Sequence, residues 1–110
     1  MTLNFDQLFQ QLETGVETAV KTVGEDYLNE AKSDGENLVN DLKADLMNWT
    51  QEVENGAMTM DDLEFLLKEE ASFTEMTALK QAGLAAVHID EFRDALINSV
   101  LSTLLSFVKV

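Results

Sequence analysis

Residues 21–53 read KTVGEDYLNEA, KSDGENLVNDL and KADLMNWTQEV, three consecutive blocks of eleven. Each block opens with lysine (Lys21, Lys32, Lys43) and closes with an apolar residue (Ala31, Leu42, Val53), and its seventh position is apolar throughout (Tyr27, Leu38, Trp49). Eleven residues make three turns at about 3.67 residues per turn, so a stripe with this period hardly drifts around an α-helix. The stripe runs through Gly24, Tyr27, Ala31, Gly35, Leu38, Leu42, Leu46, Trp49 and Val53 at spacings of three and four. That is a helical seam and not a strand pattern. A glycine inside a helix costs roughly 0.5–1 kcal/mol relative to alanine. Gly24, Ala31 and Gly35 are therefore expected to mark a seam of close approach to another backbone or a large ring; the alternative is that Gly24 and Gly35 break the helix.

Upstream, Phe5, Leu8, Phe9, Leu12, Val16, Ala19, Val20 and Val23 join the stripe without a change of phase. Phe5, Val16, Tyr27, Leu38 and Trp49 form one row at intervals of eleven, and Phe9, Val20, Ala31, Leu42 and Val53 form a second. A single helix over 4–54 would be roughly 75 Å long at 1.5 Å per residue, far longer than a compact domain of this size requires. It must find a partner along its length, unless Gly15, Gly24 or Gly35 lets it bend or divide.

Asn55-Gly56 reads as a helix stop, and Thr59-Met60-Asp61-Asp62 as a fresh N-cap with acids at the positive end of the helix dipole. Leu63, Leu66 and Leu67 give a helix over 59–70 its buried side, with Phe65 beside them. Ser72-Phe73-Thr74-Glu75 is a second start signal for a short helix over 74–82, which carries Met76 and Leu79 and ends at Gly83. The final segment, 89–108, is the most apolar. Ile89, Phe92, Leu96, Ile97, Val100, Leu101, Leu104, Leu105 and Val108 cover more than half its circumference, leaving Ser99, Ser102, Thr103 and Ser106 on a narrow face. The expected fold is all-α and a single domain: an elongated helical hairpin, or a small up-down bundle, with one long N-terminal helix. An open hairpin would expose much of the last helix, so a homodimer or larger assembly is expected.

The 110 residues contain no Cys and no Pro, which leaves no disulfide, no thiolate zinc site and no strong helix breaker. The net charge is -14 and it is spread, with three basic and twelve acidic residues in 1–55 and four and nine in 56–110. Such a field repels phosphate backbones and anionic lipid, while 45% hydrophobic residues at helical spacing argue for a folded chain. MTLNFDQLFQQ has no early Lys or Arg and no unbroken apolar core, unlike a secretory signal. No run reaches the roughly 18 apolar residues of a spanning helix. A cytoplasmic setting is expected.

The residues offer little chemistry. His88 is the lone histidine, and His88-Ile89-Asp90-Glu91 has no second histidine or cysteine to complete a site. Asp61-Asp62, Glu69-Glu70 and Glu25-Asp26 are sequence neighbours that point different ways round a helix, as solvated faces do. Aligning Glu30 through Asp41 on an EF-hand loop places Gly35 correctly but puts Lys32 at an oxygen-ligand position and Asp41 where Glu belongs, which rejects it. The five methionines (Met1, Met47, Met58, Met60, Met76) read as core filler and an initiator. No catalytic residue, metal or cofactor is expected.

The function expected is that of a non-catalytic structural or adaptor module acting through helix–helix association, on itself and on a helical protein partner. Trp49, Phe65, Phe92, Leu101 and Leu105 are its interface candidates, because large apolar side chains dominate such contacts. The eleven-residue amphipathic blocks over Phe5 to Val53 resemble those of exchangeable apolipoproteins and some late-embryogenesis proteins, in pattern class and without a family motif. That resemblance implies a lipid-surface protein, against which stand only three lysines and a strongly negative span. The acidity alone suggests a third reading, a nucleic-acid mimic that fills a partner's basic groove.

Overall fold

The computed structural model describes residues 4–108, so Met1 lies outside the described residues. The regular elements among the described residues are helices: α1 (Phe5–Val20), a 3-10 turn (Glu25–Tyr27), α2 (Leu28–Asp41), α3 (Lys43–Glu54), α4 (Met60–Ser72), α5 (Thr77–Gln81) and α6 (Ala86–Phe107). The expected bundle forms, and of the two alternatives for 4–54 the divided one holds: the segment breaks just before Gly24, while Gly35 stays inside α2. With a longest dimension of 44 Å, the molecule has no room for a helix of roughly 75 Å.

The first segment divides just before Gly24. The helix tightens through i to i-3 bonds from Lys21, Thr22 and Val23, and the Thr22 hydroxyl donates to the Ala19 carbonyl at 2.8 Å. Val20, Thr22 and Val23 are β-branched residues of modest helix propensity. Gly24 then adopts extended geometry (φ -68°, ψ 162°) before the 3-10 turn, whose Glu25 and Asp26 suit the positive end of a helix. The chain reverses, so that Phe9 meets Lys43 and Val16 meets Gly35 across an antiparallel pair. Gly24 is consequently not a point of close approach: it is exposed, with open space where a Cβ would be.

Gly35 is a close contact. A Cβ there would stand 2.7 Å from Val16 Cγ1, 3.6 Å from Phe92 Cζ and 3.8 Å from Leu96 Cδ1, so hydrogen in its place lets α2 settle against both α1 and α6. Ala31, one turn earlier, is fully buried. Gly15 plays a similar part between α1 and α6, where a Cβ would meet Ser99 Oγ at 2.5 Å and Thr103 Oγ1 at 3.7 Å. The small-residue face of α6 thus splits: Ser99 and Thr103 approach α1, while Ser102 and Ser106 are exposed. α1 packs on both α2 and α6, and the core gathers Leu8, Leu12, Leu38, Leu46, Leu96 and Leu104.

α2 and α3 are one helix bent at Leu42 (φ -95°, ψ 4°), with Leu42 N–H bonded to the Leu38 carbonyl and Leu46 N–H to that of Leu42. α2 is rich in Asn, Ser, Asp and Gly, so packing rather than propensity maintains it. α3 stops in a Schellman motif. Gly56 takes φ 80°, Ala57 N–H reaches the Glu52 carbonyl and Gly56 N–H that of Val53. Gly83 (φ 91°) ends α5 in the same way. Thr59 and Asp62 form a reciprocal capping box at the start of α4.

The start of α5 departs from the sequence expectation. The Ser72 hydroxyl turns back to the Glu69 carbonyl, the helix begins at Thr77 after Met76, and no local side chain caps it. The cap comes from α2 instead: buried Asp34 accepts from Ala78 N–H at 3.1 Å and from Leu79 N–H at 2.8 Å. Arg93 of α6 secures the segment before it, donating to the Thr74 carbonyl at 3.1 Å and to Asp90 at 2.8 Å.

Asp34→Ala removes both acceptors and strands two N–H groups, one of them buried, at an expected cost of about 2–3 kcal/mol. Urea unfolding measures it. A loss below about 0.5 kcal/mol would show that Asp34 does not hold α5.

Candidate functional site

The interface candidates separate by their place on the bundle. Phe92 is wholly buried and lies beside Gly35, so it belongs to the core and is not available to a partner. Trp49 and Leu101 are half-buried at the edge of the core. Two candidates face outward, Phe65 on α4 at 65% exposure and Leu105 on α6 at 57%. α6 buries Ile89, Leu96, Ile97, Val100 and Leu104 and leaves Val87, in its first turn, 59% exposed.

Among the described residues, the most exposed large apolar side chain is not one of those candidates. Phe73, at the end of α4, is 76% exposed, and in the sequence it is enclosed by the hydroxyl and acidic residues of an apparent capping signal. The helical wheel contains the missed clue. Leu63, Leu67 and Ala71 form the buried stripe of α4, Phe65 lies nearly opposite it, and Phe73 follows eight residues later, about 12 Å along the axis and still on the outward half. α4 therefore has apolar groups on two sides, and the bundle covers one of them.

An open recess of about 570 Å³ adjoins Phe73, between the α2–α3 bend and the junction of α4 with α5. Asp41, Asp45, Glu70 and Glu75 line it together with Thr77. A smaller hollow of about 200 Å³ lies between α1 and α2, floored by Val16 and Val39 and rimmed by Glu13 and Glu36. There the Lys43 ammonium stands 4.9 Å from the centre of the Phe9 ring, within cation–π range, and fills part of the opening.

His88 Nδ1 is 3.5 Å from Glu91, with both side chains more than half exposed. Among the described residues, no three or more His, Cys, Asp or Glu side chains are grouped to hold a metal ion. No helix among them is long and apolar enough to cross a membrane. Compared with protein-family models, with curated proteins and with solved structures, the chain matches none, so its functional reading rests on its own residues.

Two phenylalanines expected alike at an interface thus take opposite roles, and truncation separates them. Phe92→Ala is expected to cost about 3–5 kcal/mol through the cavity it opens, whereas Phe65→Ala should change stability by less than about 0.5 kcal/mol. Chemical denaturation of the two variants checks this; similar losses would contradict the assignment.

Proposed function

We propose that this chain is an acidic helical adaptor that works by association and not by chemistry, and that it docks a different protein on the outward side of α4. The observation that carries the reading is the pair Phe65, on α4, and Phe73, at its C-cap, two aromatic side chains that remain largely exposed while Leu63 and Leu67 of the same helix are buried. Isolated exposed apolar residues are ordinary on a protein surface. Two rings on the outward half of α4 and its C-cap, about 12 Å apart along the helix axis, give a partner helix or strand paired anchors, the arrangement that concentrates binding energy in a few residues.

The eleven-residue stripe gives less support to a lipid surface. Both arms turn that stripe inward, with Val16, Val20, Ala31 and Leu38 in the core, so lipid contact through it would require the bundle to open. Self-association is the second reading, favoured by Leu105 near the end of α6. It has weaker support than the open hairpin gave it, since Ile89, Phe92, Leu96, Ile97, Val100 and Leu104 of α6 are buried here and two copies would each bring a charge of -14.

Phe65→Ser with Phe73→Ser is expected to leave the fold intact and to abolish recovery of the partner that the wild-type chain captures from its source cell. Recovery of the same partner at the same level by both chains would overturn the adaptor reading. Light scattering at micromolar concentration resolves the second reading: a dimer that Leu105→Ser dissociates supports self-association, and a monomer excludes it.

A further inference from the structure

We infer that the recess beside Phe73 receives a cationic, amphipathic segment of the partner protein, with Phe73 as the apolar anchor and the carboxylates around it holding Lys or Arg side chains. The inference rests on the adaptor reading and specifies the chemistry of what is docked.

The lining is one-sided. Asp41 and Asp45 come from either side of the α2–α3 bend, Glu70 from the last turn of α4 and Glu75 from the segment leading to α5, and no Lys or Arg is among the lining residues. Lys80, one turn after Thr77 on α5, is exposed and does not line the recess, and three other cations are engaged elsewhere. Lys43, between Asp41 and Asp45 in sequence, turns to Phe9 on another face. Lys68 pairs with Glu64 at 3.1 Å, and Arg93 with Asp90 at 2.8 Å. Glu70 adds its charge where α4 already presents the negative end of its dipole, with no basic residue in the last turn to offset it. Charges around one recess fall largely within a Debye length of about 8–10 Å, so their potentials add and favour a cation entering from solvent.

Complementarity decides among the occupants. A second copy would bring another -14, and an anionic surface or nucleic acid would meet the same repulsion. A single metal ion does not match so wide an opening, and these carboxylates are not gathered as a metal cluster. Phe73 adds what simple charge cannot: an exposed ring that accepts the methylene stem of a Lys or the face of an Arg guanidinium, next to acids that take the charged head. A basic segment with an apolar side satisfies both parts at once.

The test uses the whole chain, isotope-labelled, and a short labelled helical peptide of lysine and leucine as the probe, with a glutamate and leucine peptide as its counterpart. The lysine peptide is expected to perturb backbone amides of 37–45 and 70–77, to lose affinity as salt rises, and to bind about tenfold more weakly to Phe73→Ser. A combined variant, Asp41→Asn, Asp45→Asn, Glu70→Gln and Glu75→Gln, is expected to weaken it at least about tenfold. Neutralising exposed Glu17, Asp26, Glu52 and Glu54 instead, an equal change in net charge, should leave most of the affinity. Equal losses in the two charge variants, or amide shifts spread over the whole surface, would reduce the effect to net charge and overturn the inference. Should the natural partner need Phe65 and Phe73 while the lysine peptide fails to compete with it, the adaptor reading stands and this inference falls.

Discussion

The bundle depends on one close contact, between the Val16 side chain of α1 and the bare backbone of Gly35 on α2. Helices normally keep side-chain layers between their axes, and hydrogen in place of a Cβ removes that layer at one point. Through it α2 comes within reach of Phe92 and Leu96 on α6 as well as of Val16. Three helices thereby share a junction at which any added methyl group must displace a neighbour. Gly15 does the same between α1 and α6, so the central helix approaches both partners through a glycine.

The contact also positions the candidate surface. Asp34 immediately precedes Gly35, and burying that turn of α2 carries the Asp34 carboxylate to the first N–H groups of α5. Arg93, one residue after Phe92, reaches from α6 to the Thr74 carbonyl. The segment joining α4 to α5 is therefore tied at both sides by residues adjacent to the central junction. Phe73 and Glu75 lie on that tied segment, facing Asp41 and Asp45 across the recess. Surface groups held by a rigid interior lose little freedom on binding, which lets a modest contact area be selective.

Much of this architecture is legible along the chain, and what is not has definite causes. Helical spacing identifies the secondary structure, and Asn55-Gly56 with Thr59 and Asp62 announces one helix end and the next beginning, because those signals act within a few residues. The break before Gly24 is legible only as one of several open alternatives. An amphipathic chain that folds back on itself keeps the same period on both arms, so the eleven-residue register reads alike for a straight rod against a partner and for a hairpin against itself. The Asp34 cap is invisible, since donor and acceptor are more than forty residues apart. Of the candidate surface, Phe65 stands out by its size, but the same criterion selects Phe92, which only packing assigns to the core. Phe73 is masked by the capping residues around it.

A double-mutant cycle on Val16→Ala and Gly35→Ala tests the central contact most directly. If the methyl group added at position 35 collides with Val16, shortening Val16 makes room for it, and the double variant is more stable than the sum of the single losses by about 1 kcal/mol or more. Losses that add to within about 0.5 kcal/mol would contradict the account, because α1 and α2 would not then meet at that glycine.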